Sequence, residues 1–314
     1  MPLHPYDTAL RGKPVVVWRS VEEPIADPTG VAYRIAESDD TGLLRRFLQM
    51  PNASAVTTLL IPSGAIEEGG EDTESEAGED DSDEEDDGTV VTYSPLVNAL
   101  AASADQLPNL TTLFVGNTLA HESELSWHLQ SDLSPLLTAF PHLEYLGIRG
   151  THGLALGGAC LPALKSLVIQ TGDMPTSVLD EVLALELPAL EHLELWLGSA
   201  DYDSDDEPAA VKRLLAGAEQ RWPNLKYLGL RNSNTANEDA VQVSLSPLLK
   251  QLEVLDLSLG TLGDPGIEAL LESDGIHQLK KLDIHHHYVS EEAILRLKAL
   301  DIEVDASEPQ NYEE

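Results

Sequence analysis

A single cysteine, Cys160, in 314 residues leaves no intramolecular disulfide to staple the fold. Standing just before a strand leucine, it reads as a buried thiol rather than a nucleophile. Cations are scarce, with 18 Lys and Arg against 55 Asp and Glu, for a formal charge of −37. Without a basic stripe to neutralise phosphates, nucleic acid is an improbable partner. Long apolar runs are missing as well, so neither a secretion signal nor a membrane span is expected, and a soluble chain of the bacterial cytosol is the reading. Established catalytic or cofactor signatures are lacking too: no G-x-S-x-G elbow, phosphate loop, H-E-x-x-H or paired-cysteine motif occurs. A non-enzyme without cofactor is therefore expected, with Glu122, Glu124 and His128 the one polar cluster that invites an acid–base reading.

What is abundant is leucine, in a recurring phrase. LPNLTTLFV from Leu107, FPHLEYLGI from Phe140, LPALKSLVI from Leu161, LPALEHLEL from Leu187, WPNLKYLGL from Trp222, KQLEVLDL from Lys250 and HQLKKLDI from His277 share L-x-x-L-x-L. The first leucines lie 33, 21, 26, 35, 27 and 27 residues apart. A period of that size is the mark of a stacked repeat, in which no unit buries its leucines alone. Weaker copies stand at Val56 to Ile61 and at Leu297 to Ile302. Helical stretches are expected between the strands: Tyr93 to Leu107, Pro175 to Leu187, Pro208 to Trp222, Ala240 to Leu249, one from Asp264-Pro265 with Asp264 as N-cap, and one from Ser290. The expected fold is α/β, a leucine-rich-repeat solenoid or horseshoe with a parallel sheet on its concave face and helices on its convex face.

LEVLDLSLGTLGDPGIEALL from Leu252 and LKKLDIHHHYVSEEAILRL from Leu279 resemble leucine-rich-repeat proteins of the ribonuclease-inhibitor-like subtype, whose long repeats are helical on the convex side. The ESELSWHLQSD and LDIHHHY stretches are similar to segments of bacterial, largely actinobacterial, leucine-rich-repeat proteins without an established activity. The resemblance spans Val56 to Ile302 and implies the fold. The mammalian inhibitor is rich in cysteine and this chain is not, so ribonuclease binding does not carry over.

Three segments follow by composition: an N-terminal cap over residues 1–50, with strands at Val15 and Val31 and a helix from Gly42 to Met50; the repeat domain over 51–304; and an acidic tail over 305–314. A disordered acidic loop is expected over 65–90, since Glu67 to Asp87 holds fourteen acidic residues and no base. The rest of the chain is acidic as well, which suits either a basic protein partner or solubility alone, and a monomer is expected.

Strand alternation turns three columns of residues toward the concave face. They hold Tyr145, His192 and Tyr227; Glu194, Asp256 and Asp283; and Arg149, Trp196, Arg231 and His285. Tyr, Trp and Arg often dominate binding energy, so these residues form the expected protein-binding surface, together with Trp127, His287 and Tyr288 on the rim after the strands. A self-satisfied surface of ion pairs and stacked rings is the alternative. His285 and His287, on one side of an extended segment, are also weak metal ligands with Asp283 as a third. Asp201, Asp203 and Asp205 imitate a calcium loop but lack its glycine and its closing glutamate. The functional expectation is a protein-interaction scaffold, with an inhibitor or antitoxin of a basic enzyme, or a metal protein centred on the histidine run, as alternatives.

Overall fold

The computed structural model describes residues 8–36, 41–67, 92–117, 129–198 and 207–311. Most of the acidic run, Trp127, the Glu122–Glu124–His128 cluster and the aspartates at 201, 203 and 205 lie outside these residues.

Each L-x-x-L-x-L phrase forms a short strand, and the strands stack in chain order. The main sheet has twelve strands: β1 (Ala9–Leu10), β2 (Lys13–Trp18), β3 (Ala32–Ile35), β4 (Thr58–Ile61), β7 (Thr112–Val115), β8 (Tyr145–Arg149), β9 (Ser166–Gln170), β10 (His192–Gly198), β11 (Tyr227–Ser233), β12 (Val254–Asp256), β13 (Lys281–Asp283) and β14 (Glu303–Asp305). A separate small ribbon pairs β5 (Ile66–Glu67) with β6 (Thr92–Tyr93). Every pairing in the main sheet is parallel except β1 with β2, and the sheet stays open. The register is the same at each step: Tyr145, Ser166, His192, Tyr227, Val254, Lys281 and Glu303 are laterally aligned. The columns expected from alternation are therefore real columns.

Connections carry α1 (Gly42–Leu48), α2 (Pro95–Ala101), α3 (Ser134–Ala139), α4 (Thr176–Ala184), α5 (Glu207–Leu215), α6 (Ala218–Arg221), α7 (Ala236–Leu245), α8 (Asp264–Leu271) and α9 (Glu291–Lys298). Ser290 caps α9 through its side chain, accepting from Ala293 N at 3.2 Å. Asp264 does not cap α8. That helix begins after Gly263, and the Asp264 carboxylate accepts instead from Ser290 N at 2.7 Å. The acceptor side chain thus ties one repeat to the next.

Phrase leucines such as Leu113, Leu146, Leu167, Leu193, Leu228, Leu255 and Leu282 are fully buried between sheet and helices in one continuous core. The N-terminal region extends this stack, because β2 and β3 are parallel members of the same sheet, with Trp18 and Phe47 packed edge to face. Cys160 is exposed, contrary to expectation, at an isolated parallel bridge with Glu186 ahead of the strand. A hydrogen bond with Glu186 raises its pKa.

Candidate functional site

The sheet face turned away from the helices has two halves of different chemistry. On strands β3 to β9 its columns carry Ala32, Leu60, Phe114, Tyr145 and Val168, a second apolar cluster that also includes Leu10 from β1. The β1–β2 hairpin turns at Arg11 and Gly12, both at positive φ, as its tight turn requires. Arg11 sits 5.6 Å above the Tyr145 ring, while Lys13 Nζ donates to the hydroxyls of Thr57 and Thr58 at 2.7 and 3.0 Å. Gly147 has no side chain because the Phe114 ring lies where its Cβ would be. Tyr145 and Arg149, expected on a recognition surface, are buried. Arg149 lies 5.6 Å from the Phe114 ring and donates through Nε to Gln170 Oε1 at 3.3 Å, while Gln130 Nε2 donates to Arg149 O at 2.6 Å. Both residues hold strands together.

From β10 onward the same face is polar and partly open. His192 and Tyr227, adjacent in the lateral register, stack with ring centroids 3.8 Å apart and planes 10° from parallel. Beneath them the carboxylate of Glu194 takes three partners: Trp196 Nε1 donates at 2.8 Å, Arg231 Nη1 lies at 3.1 Å and His192 Nε2 at 3.4 Å. Burial pushes the Glu194 pKa up, but the His192 hydrogen bond, the Arg231 charge and the Trp196 N–H outweigh it and hold it below the usual carboxylate range. Arg231 also reaches Asp256 Oδ2 at 3.4 Å and Ser258 Oγ at 3.0 Å, and it covers the Trp196 ring at 5.1 Å. Tyr227 donates to Asp256 Oδ2 at 2.6 Å, and burial, then the charges of Asp256 and Glu194, drive its phenol pKa far up. Gly229, between Glu194 and Asp256 in the column, leaves the space beside it to the Tyr227 ring and the Glu194 stem.

The next strands repeat the arrangement. Lys281 Nζ lies 2.9 Å from Asp283 Oδ2 and 4.0 Å from Asp305 Oδ2, and His285 Nδ1 lies 2.7 Å from Asp283 Oδ1. Burial raises the Asp283 pKa, but Lys281 and then His285 lower it further. Asp283, His285 and Asp305 bring one ligating atom each within 4.8 Å of one another. Lys281 already supplies a cation to both carboxylates.

His287 is not part of that group. His286 adopts φ +58°, which breaks the extended alternation and turns the next side chain inward. His287 is buried, its Nδ1 accepts from Val289 N at 3.0 Å, and its Nε2 lies 3.3 Å from the Ala306 carbonyl. Both ring nitrogens are engaged, so the paired-histidine ligand set expected from an extended segment does not form. Tyr288 is half-buried and its backbone N–H donates to Leu262 O at 2.8 Å.

Asp305 and Lys281 were not among the expected site residues. Lys281 stands in the same outward column as His192 and Tyr227, and the signal for Asp305 was a recurring D-x-S or D-x-H at strand ends: the carboxylates of Asp256, Asp283 and Asp305 each accept from the backbone N–H two residues on, at 3.0, 3.2 and 3.1 Å. These aspartates end their strands and at the same time line up as an acidic column.

An open, mostly parallel twelve-stranded sheet with helical connections, leucine-rich-repeat-like in build and carrying an ion-paired aromatic face on its C-terminal half, defines the class of protein. The chain belongs to the same family as a Bacteroides fragilis protein whose crystal structure comes from a structural genomics programme. The two are 31% identical, the match covers 92% of this chain and 78% of that one, and the TM-score is 0.73. An internalin of Listeria monocytogenes matches over 96% of this chain and 87% of its own, at 16% identity and a TM-score of 0.28, too loose a superposition to bear on fold or function. No family model and no curated protein matches the chain. Among the described residues no helix is long and apolar enough to cross a membrane.

Proposed function

We propose that this chain is a non-catalytic scaffold, a leucine-rich-repeat protein of the ribonuclease-inhibitor-like subtype, that binds a basic protein on the C-terminal half of its open sheet face. The observation that carries this reading is the partly exposed His192–Tyr227 stack, set above a preorganised carboxylate column of Glu194, Asp256, Asp283 and Asp305. Its internal ion pairs lock the rings and charges in place, so little side-chain entropy remains to be lost on binding. The acidic column supplies steering for a cationic partner, and the stacked rings supply contact area at the centre. An inhibitor of a basic enzyme is one form of the same reading.

The test is capture of partners from the native host's lysate with wild type and with His192→Ala, at low and moderate salt. One stoichiometric basic protein, weakened by salt and by about tenfold in the variant, supports the reading. A partner held equally by both chains sinks it. The metal reading now rests on Asp283, His285 and Asp305, and Lys281→Met separates the two. Zinc bound by the variant but not by wild type assigns the cation role to Lys281.

A further inference from the structure

The two ends of the solenoid are built differently. At one edge of the sheet β1 pairs with β2 and sends Leu10 over the open face, whereas at the other β14 is the last strand among the described residues, with Leu300, Ile302 and Val304 only partly buried. In a parallel ladder, alternate residues direct both backbone groups to the same neighbour. Glu303 N donates to Lys280 O and Asp305 O accepts from Ile284 N, so the N–H and C=O of Val304 point away from β13, to an edge where no strand pairs among the described residues. Just past this strand lies a mostly apolar groove of about 290 Å³, lined by Val289, Ile294, Leu295, Ala306 and Pro309 together with His287, Glu291 and Lys298. Leu295 is 69% exposed there, an unusual place for a leucine on an otherwise polar helix face.

We propose that the β14 edge and its groove receive an extended segment of a second protein, one that alternates basic and apolar residues and adds a thirteenth strand to the sheet. Strand addition takes its affinity from the main chain and its selectivity from alternate side chains. Residues of the incoming strand on the open face would lie beside Glu303 and Asp305, whose carboxylates select Lys or Arg. Those on the other face would lie beside Val304 and enter the groove. A second copy of this chain is a poor occupant. Antiparallel pairing of β14 with itself opposes Glu303 to Asp305 on both sides of the new ladder, and like charges directly opposite destabilise a sheet. This site is separate from the His192–Tyr227 face, and either can fail without the other.

The experiment uses a fluorescently labelled peptide alternating lysine and valine, titrated with the full chain by anisotropy, beside a peptide of the same composition with its lysines and valines in two blocks. Leu295→Lys alters an exposed side chain and so leaves the fold intact. Val304→Pro removes a free edge N–H without removing a ladder bond, with its folding checked by circular dichroism. Binding of the alternating peptide in preference to the block peptide, reduced about tenfold by each variant and by Glu303→Lys, is the expected result. No binding, equal binding of the two peptides, equal binding to all variants, or wild-type dimerisation abolished by Leu295→Lys would each overturn the proposal.

Discussion

At the scale of single residues, the turn after each strand shows how one backbone requirement organises a site. Asn232, next to last in β11, and Leu259, His286 and Glu308, each three residues past the end of β12, β13 and β14, all have φ between 55° and 68°. Gly150 does the same after β8 at φ 87°. A left-handed residue here reverses the chain out of the strand, which is why His285 faces the acid column and His287 faces the core. Replacing His286 by Asn, which tolerates this conformation, should leave the melting temperature nearly unchanged. His286→Val should cost about 1–2 kcal/mol in urea denaturation, since a β-branched side chain clashes in that region.

His287 carries a pH dependence of definite sign. Burial lowers its pKa, so the folded state resists the protonation that the unfolded state accepts. Its contribution is complete above the unfolded value of about 6.5 and is lost as pH falls through that value toward the lowered one. Asn can reproduce the acceptor that Nδ1 offers to Val289 N. Melting temperature against pH for His287→Asn should therefore fall less between neutral and mildly acidic pH than for wild type. Parallel curves would refute the assignment.

Strand-level energetics centre on the bridge that Arg231 makes across β10, β11 and β12. Its side chain is 17% exposed and pairs with Glu194 and Asp256, each 6% exposed. Removing one member of such a set leaves the others charged and poorly solvated, a larger loss than the set's net worth. Arg231→Met should destabilise by about 3 kcal/mol, whereas Arg231→Met with Glu194→Gln should recover part of that loss in a double-mutant cycle. Glu194→Gln alone gives the pH check. With its folded pKa depressed, Glu194 stabilises above the unfolded value of about 4.3 and loses that contribution as pH falls. The gap between wild type and variant should narrow on acidification. The strands were legible at this scale because L-x-x-L-x-L assigns inward and outward positions without knowledge of neighbours. Which outward residues would be covered was not legible, because the hairpin that places Leu10 and Arg11 against Tyr145 belongs to a segment far away in sequence.

Across the whole molecule, a formal charge of −37 makes self-repulsion a term in folding as well as in association. Salt screens it, so chemical denaturation with urea should show a midpoint that rises with added sodium chloride over the submolar range. A midpoint that falls would mean that the specific ion pairs of the open face outweigh the general repulsion. Screening should at the same time weaken capture of a basic partner, so folding and binding respond to salt with opposite signs.

The amino-acid sequence by itself determined the repeating strand, the parallel stacking and the identity of the outward columns. All of these follow from local spacing: leucines at fixed intervals have one way to be buried together. It also carried the Asp-x-Ser and Asp-x-His strand ends that make the acidic column. Only the tertiary structure decided which of those columns are available. Tyr145 and Arg149 sit under or beside groups brought in by distant segments, Lys281 rather than a second histidine faces Asp283 and Asp305, and one residue at positive φ sends His287 into the core. Burial and charge pairing depend on side chains tens or hundreds of residues apart, and a spacing rule contains no information about those distances.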